Sequence, residues 1–165
     1  MTSRLPGALP LIDDRHFNLI RWELGHHWML LRGGREFRDP PADPGPSLEL
    51  LFTNVQRICL STGWDSLALR VSTDEERSQM EAHLGQRIWF ENHLFFLKEG
   101  SPDHYVIAGG LYWAEIDHHS HFTLWDQNRD PEGPKPIGDV YYSYDAPEIV
   151  AARRAAWKHA RDTEN

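Results

Sequence analysis

The stretch from Tyr105 to Asp126, YVIAGGLYWAEIDHHSHFTLWD, constrains this chain more than any other. β-Branched, aromatic and aliphatic residues fill it on both sides of a short polar break, a composition that suits a pleated sheet. In its first arm Val106, Ala108, Tyr112, Ala114 and Ile116 alternate with Tyr105, Ile107, Leu111, Trp113 and Glu115. Both sets are largely apolar, so the strand is expected to be interior, with material packed on each face. Gly109-Gly110 interrupts it, and glycines inside a strand mark a bulge, a bend or the close approach of another backbone. A second arm is expected from Phe122 to Asp126, making a hairpin about the histidine-bearing turn.

The same short apolar runs recur along the chain. Phe17 to Leu31 reads as a first hairpin turning near Gly25. Leu48 to Leu60 reads as a strand whose inward parity changes, which a turn or bulge near Thr53-Asn54 would reconcile. Ser66 to Val71 is a short strand with Leu67, Leu69 and Val71 facing inward. Arg87 to Lys98 reads as a hairpin about Glu91-Asn92-His93, and Val140 to Tyr144 as an aromatic strand. Residues 1–14 are expected to be extended or loosely held, and the Pro/Gly-rich segments 33–46 and 128–138 to be mobile loops. Thr73 with Glu76 three residues on makes a capping box, and Gly85 ends that helix. Only Met80 and Leu84 give it an apolar stripe, so it lies on the surface. Asp145 with Glu148 caps a last helix over 146–162, with Ile149, Ala152, Ala156 and Ala160 near one face and Val150 and Trp157 beside it.

Strands close in sequence, without helical crossovers, imply antiparallel pairing. The expected fold is therefore mainly β (α+β): an antiparallel curled sheet, sandwich or half-open barrel, with a short surface helix and a C-terminal helix. At 165 residues, the chain reads as a single domain over 1–165.

The formal net charge of -8 disfavours nucleic acid, whose binding needs lysine and arginine on phosphates, and favours a basic protein partner. Cys59, the single cysteine, is read as a buried small hydrophobe. No apolar run approaches the ~20 residues that span a bilayer, and MTSRLPGALP lacks the apolar core of a signal peptide. No membrane association and a cytoplasmic location follow as expectations. Serine-triad, dinucleotide, P-loop and H-E-x-x-H motifs are absent from the sequence, so no catalytic residue is assigned and a non-enzymatic role is the first expectation.

The strongest chemical constellation is Asp117-His118-His119-Ser120-His121. On an extended chain His119 and His121 share a face, as two metal ligands must, and Asp126 supplies a third, hard ligand. The bland reading is a solvated polar turn, so no cofactor is expected first and a divalent metal second. The H-x-H with a later carboxylate is similar to the metal motif of cupins, but Tyr141 stands where their second histidine-bearing motif would continue. His26 and His27 are adjacent, so at most one joins any common site. The seven tryptophans are read first as core. Tyr142, Tyr144, Trp125 and His118 are the candidates for a partner-binding surface. Arg153, Arg154, Lys158 and Arg161 suit a helix C-terminus electrostatically, with a binding patch as the second reading.

The run Trp22-Glu23-Leu24-Gly25-His26-His27-Trp28-Met29-Leu30-Leu31-Arg32, then Leu50-Leu51-Phe52-Thr53-Asn54-Val55, resembles the opening of a group of small uncharacterised bacterial β-rich proteins. With Ala108-Gly109-Gly110-Leu111-Tyr112-Trp113-Ala114 the plan is also similar to some immunity proteins of bacterial toxin systems. The resemblance implies a protein-interaction domain, its most specific form an immunity protein neutralising a basic toxin. The alternative is a small-molecule or metal-binding protein or enzyme, with an aromatic-lined pocket on the concave side of the sheet and a His119/His121 site.

Overall fold

The computed structural model describes residues 4–35, 45–117, 123–126, 133–143 and 147–163. Its elements are β1 (Arg4–Pro6), β2 (Leu11–Glu23), β3 (Trp28–Gly34), β4 (Ser47–Thr53), β5 (Arg57–Cys59), β6 (Gly63–Val71), α1 (Asp74–Leu84), β7 (His93–Phe96), β8 (Tyr105–Ala108), β9 (Gly110–Ile116), β10 (Val140–Ser143) and α2 (Pro147–Thr163). The strands form one curled, unclosed sheet in the order β1-β10-β9-β4-β3-β2-β6-β7-β8-β5. The pairs are antiparallel except β1 with β10. This is the mainly β architecture expected, with a short helix and a C-terminal helix. The N-terminal stretch is drawn into the sheet: Leu5 pairs with Tyr141, and β2 already begins at Leu11.

The sheet curls because one long ribbon contributes to both of its halves. β4 runs into β5 and β8 runs into β9, and the two chains stay opposite one another throughout. Leu50 pairs with Trp113 and Thr53 with Gly110; beyond the break, Arg57 pairs with Ile107 and Cys59 with Tyr105. Two hydrogen bonds carry the ribbon across its kink, Gly109 N–H to Thr53 O at 2.9 Å and Gln56 N–H to Ile107 O at 2.8 Å. Asn54 turns the chain with φ of 51°. A Cβ on Gly109 would sit 3.0 Å from the Asn54 Cβ, so the two backbones approach as closely as a glycine allows.

The Tyr105–Asp126 hairpin does not form as expected. The first arm is strand, divided at Gly109 into β8 and β9, but the described part of the second arm, Thr123 to Asp126, is not a strand. Thr123 to Asp126 turn instead, because their side chains compete with a ladder for backbone donors. Asp126 Oδ2 accepts the Thr123 amide at 2.8 Å and Thr123 Oγ1 accepts the Trp125 amide at 3.2 Å. The expected hairpin over 87–98 fails for a related reason. The amides of Ile88 and Trp89 donate to the side chains of Glu81 and Gln56, leaving only His93–Phe96 as strand.

The concave side is filled. Phe17, Met29, Leu31, Leu50, Phe52, Leu67, Leu69, Phe95, Val106 and Leu111 interdigitate there in one cluster. Phe52 and Phe95 meet edge to face at 5.4 Å. Outside, α1 lays Met80 and Leu84 against Ile88, Leu94, Phe96, Tyr105 and Ile107. Leu124 covers Ala114, Ile116 and Val140 farther along. These two covers explain why the Tyr105–Ile116 stretch is apolar on both parities. Cys59 departs from expectation. It is exposed, because β5 is an edge strand on which Ile58 takes the inward position.

α1 follows its sequence signals. Thr73 Oγ1 accepts the Glu76 amide, the Glu76 carboxylate accepts the Thr73 amide, and Gly85 ends the helix at φ of 64°. Arg70 clamps the same carboxylate with two bonds of 2.8 Å. α2 meets the body through Trp157, with Val150, Arg153 and Ala160 also half-buried and Ala152 and Ala156 exposed. The buried stripe is thus rotated from the alanine face expected, because one large aromatic buries more apolar area than three methyl groups.

Two outcomes follow. A Cβ on Gly33 would lie 2.5 Å from the fully buried Phe17 ring. Gly33→Ala should therefore lower stability by about 1–3 kcal/mol, read as a lower urea midpoint at unchanged slope; an unshifted midpoint would contradict this packing. The Arg70 bonds and the Thr73 amide hold the Glu76 carboxyl at about 2, below its ordinary 4.5. Because the folded value is depressed, the stabilisation is complete above about 4.5 and fades as the pH falls towards 2. NMR titration should show the low midpoint in the native chain and a rise in Arg70→Ala.

Candidate functional site

Two regions of the molecule gather polar and aromatic side chains, and the sequence candidates fall unevenly between them. The first lies on the outer face of β3, β4 and β9, under residues 123–126. Arg32 on β3 stands opposite Glu49 on β4, and both are buried. Arg32 donates to Glu49 Oε1 from Nε at 3.1 Å and from Nη2 at 2.6 Å, and the Leu124 amide donates to Oε2 at 2.9 Å. Burial pushes the Glu49 carboxyl above its ordinary range, and Arg32 and the Leu124 amide offset only part of that rise.

Asp126 anchors the far end of the same segment. Burial alone would raise its pKa, but the Thr123 amide and the Arg21 guanidinium outweigh burial and hold the carboxyl below its usual range. Arg21 Nη1 reaches Oδ1 at 2.7 Å, so both carboxylate oxygens are engaged. A metal drawing on Asp126 would have to share them. Trp125 packs on Tyr112 at 5.8 Å, and Tyr142 stands beside Tyr112 in the sheet register. These two partner candidates therefore meet about one tyrosine, both half-buried. His118, His119, His121 and Tyr144 lie outside the described residues. Among the described residues, no group of three His, Cys, Asp or Glu side chains is arranged to hold a metal, and no helix is long and apolar enough to cross a membrane.

The second region is one end of the curled sheet, where three loops are tied together. The turn between β2 and β3 places His27 at φ of 52°, and its carbonyl accepts the Val55 amide at 2.7 Å. The next residue, Gln56, accepts the Trp89 amide at 3.2 Å and Asn92 Nδ2 at 3.1 Å through its side-chain oxygen. Asn54 Nδ2 closes the loop onto Asn92 Oδ1 at 3.0 Å. Arg77 on α1 then donates to the carbonyls of Asn92, Ile88 and Trp89 at 2.6, 3.1 and 3.1 Å. A guanidinium with its donors in a fixed fork suits a stretch of irregular backbone whose carbonyls have no ladder partner.

Large apolar side chains stand exposed on this tied end. Trp22 is 48% exposed, Leu24 72% and Trp89 42%. Glu23 and His26 sit between them, 3.1 Å apart. Behind Trp89 the rings of Trp89, Phe90 and Trp157 form a cluster, with Trp89–Trp157 centroids at 5.4 Å. Arg154 lies 5.0 Å over Phe90 and reaches Glu91 at 3.2 Å, which fixes α2 to the same end. Reading the tryptophans as core missed this surface. Trp64 and Trp113 are buried, but Trp22 and Trp89 are not. The available signal was position, since Trp22 and Leu24 immediately precede the Gly25 turn.

The Arg32–Glu49 pair yields a direct check. Glu49→Ala removes the carboxylate facing the buried Arg32 guanidinium and should cost about 3–5 kcal/mol, whereas Arg32→Met with Glu49→Leu should recover most of the loss. Urea unfolding of the two variants tests this; equal destabilisation by both would contradict a desolvated pair. No family model matches the chain, and no curated protein or solved structure matches it.

Proposed function

We propose that this chain is a non-enzymatic protein-interaction domain whose partner is basic. Its most specific form is an immunity protein that neutralises a basic bacterial toxin. The observation that carries the reading is the end bearing Trp22, Leu24 and Trp89. Exposed aromatics on a hydrogen-bonded base are pre-organised anchors, and such anchors dominate binding energy while costing little ordering entropy. The net charge of -8 supplies the long-range attraction to a basic partner. The resemblance carried by Trp22 to Arg32 falls on the strands that form this end.

Affinity capture from the native host, at low and high salt, tests the proposal. The wild-type chain should retain a basic protein whose yield falls as salt rises. Replacing Trp22 and Leu24 together by serine should weaken the purified complex by roughly 30-fold or more, as loss of an interface anchor does, at an unchanged melting temperature. Retention of no partner at low salt, or equal binding by the double variant, would defeat the proposal.

A further inference from the structure

The acidic chain carries a basic segment of its own, and that segment lies on the end read above as partner-binding. α2 holds Arg153, Arg154, Lys158 and Arg161 against Glu148 and Asp162. It engages residues 89–91 by aromatic and ionic contacts together. Trp157 meets Trp89 edge to face with centroids 5.4 Å apart, and Phe90 at 6.3 Å. Arg154 stands three residues earlier, on the same side of the helix. It lies 5.0 Å over the Phe90 ring and reaches Glu91 at 3.2 Å. An aromatic anchor and a guanidinium one turn apart thus fit an aromatic pair and a carboxylate. Trp89 is still 42% exposed with the helix in place, so the covered surface runs directly into the exposed one.

The helix rests lightly on this surface. Val150, Arg153, Trp157 and Ala160 are half-buried, and none of its described side chains is buried. None of them belongs to the packed clusters of the core. A hollow of about 250 Å³ opens between α1, residues 87–90 and α2, so the helix does not close onto α1. The Arg154 and Glu91 side chains are 53% and 46% exposed, and an ion pair so exposed contributes little. An element seated on half-buried side chains opens at much lower cost than a strand in the middle of the sheet.

We propose that α2 is a displaceable cover, and that the surface beneath it, Trp89, Phe90 and Glu91, docks a basic amphipathic helix of the partner. That helix carries an aromatic side chain and an arginine one turn apart, as α2 does. The inference rests on the partner reading for what displaces α2, whereas the chemistry of the surface is read from α2 itself. The free chain hides part of its binding surface beneath its own helix.

A fluorescein-labelled peptide of residues 147–163, titrated into the full chain and followed by anisotropy, tests this. The full chain carrying Arg154→Ala with Trp157→Ala keeps good helix formers in α2 but loses both contacts. It should bind one peptide at least about tenfold tighter than the wild type does, because a tethered helix competes at an effective concentration on the order of millimolar. Adding Glu91→Lys to that chain should weaken binding by about tenfold or more. A peptide with the same two alanines should not saturate. In the wild-type chain the α2 amides should exchange much faster than those of Leu50 and Trp113. Absence of saturation in the double variant up to about 1 mM peptide, equal binding by the wild type, or α2 amides as protected as the ladder would overturn the proposal. Dimerisation of the wild-type chain that the double variant loses would assign the surface to the helix of a second copy, and would overturn the assignment to a partner. Peptide binding as expected, with no partner captured from the host, would defeat the partner reading and leave the docking surface standing. A captured partner with no peptide binding would defeat the cover alone.

Discussion

The kink where Asn54 meets Gly109 is the constraint on which the rest of the molecule depends. An antiparallel ribbon that ran straight would leave β4 and β9 in a flat sheet with β5 and β8 projecting beyond it. Bending the ribbon lets its two parts belong to opposite halves of one strand order. The sheet between them must then curl, and the side chains on its inner face converge into one packed core. Packing density resists any partial version of this arrangement, since a core at native density tolerates few voids. The glycine matters because a side chain there would meet Asn54 and Asn92, the residues that tie off the end of the curl.

That end is closed by hydrogen bonds rather than by apolar packing. Asn54, Gln56, Asn92 and Arg77 satisfy backbone and side-chain groups that the kink takes out of the ladder. The closure has two consequences. It holds the β2–β3 turn and residues 87–92 in fixed relation, so the apolar side chains they carry stay exposed without collapsing onto one another. It also anchors the half-buried Arg77 of α1 onto the carbonyls of Ile88, Trp89 and Asn92.

How much of this could be read from residues alone depended on whether the deciding contact was local. α1 was legible from Thr73 to Gly85, because a capping box and a left-handed glycine act within a few residues of one another. The C-terminal helix was legible in extent, but its buried face was not, since Trp157 finds its partners on a segment far away in sequence. Gly109 and the Thr53-Asn54 break were each visible as interruptions. That they interrupt the same ribbon is a long-range fact that no local pattern encodes. Phe122 to Asp126 had strand composition, yet Thr123 and Asp126 spend their side chains on nearby amides and turn the chain instead. Among the candidate site residues, Asp126, Trp125 and Tyr142 are placed on the outer face of the sheet. The exposed pair Trp22 and Trp89 was obscured because tryptophan in a strand ordinarily means core.

Interstrand nuclear Overhauser contacts along residues 47–59 and 105–116 test the kinked ribbon most directly. The kinked ribbon predicts antiparallel pairing on both sides of the break, Leu50 with Trp113 and Thr53 with Gly110 before it and Arg57 with Ile107 and Cys59 with Tyr105 after it, together with slow exchange of the Gly109 and Gln56 amides. A ladder between residues 105–108 and 110–116 themselves, or a ladder that stops at Thr53 with both amides exchanging freely, would contradict it.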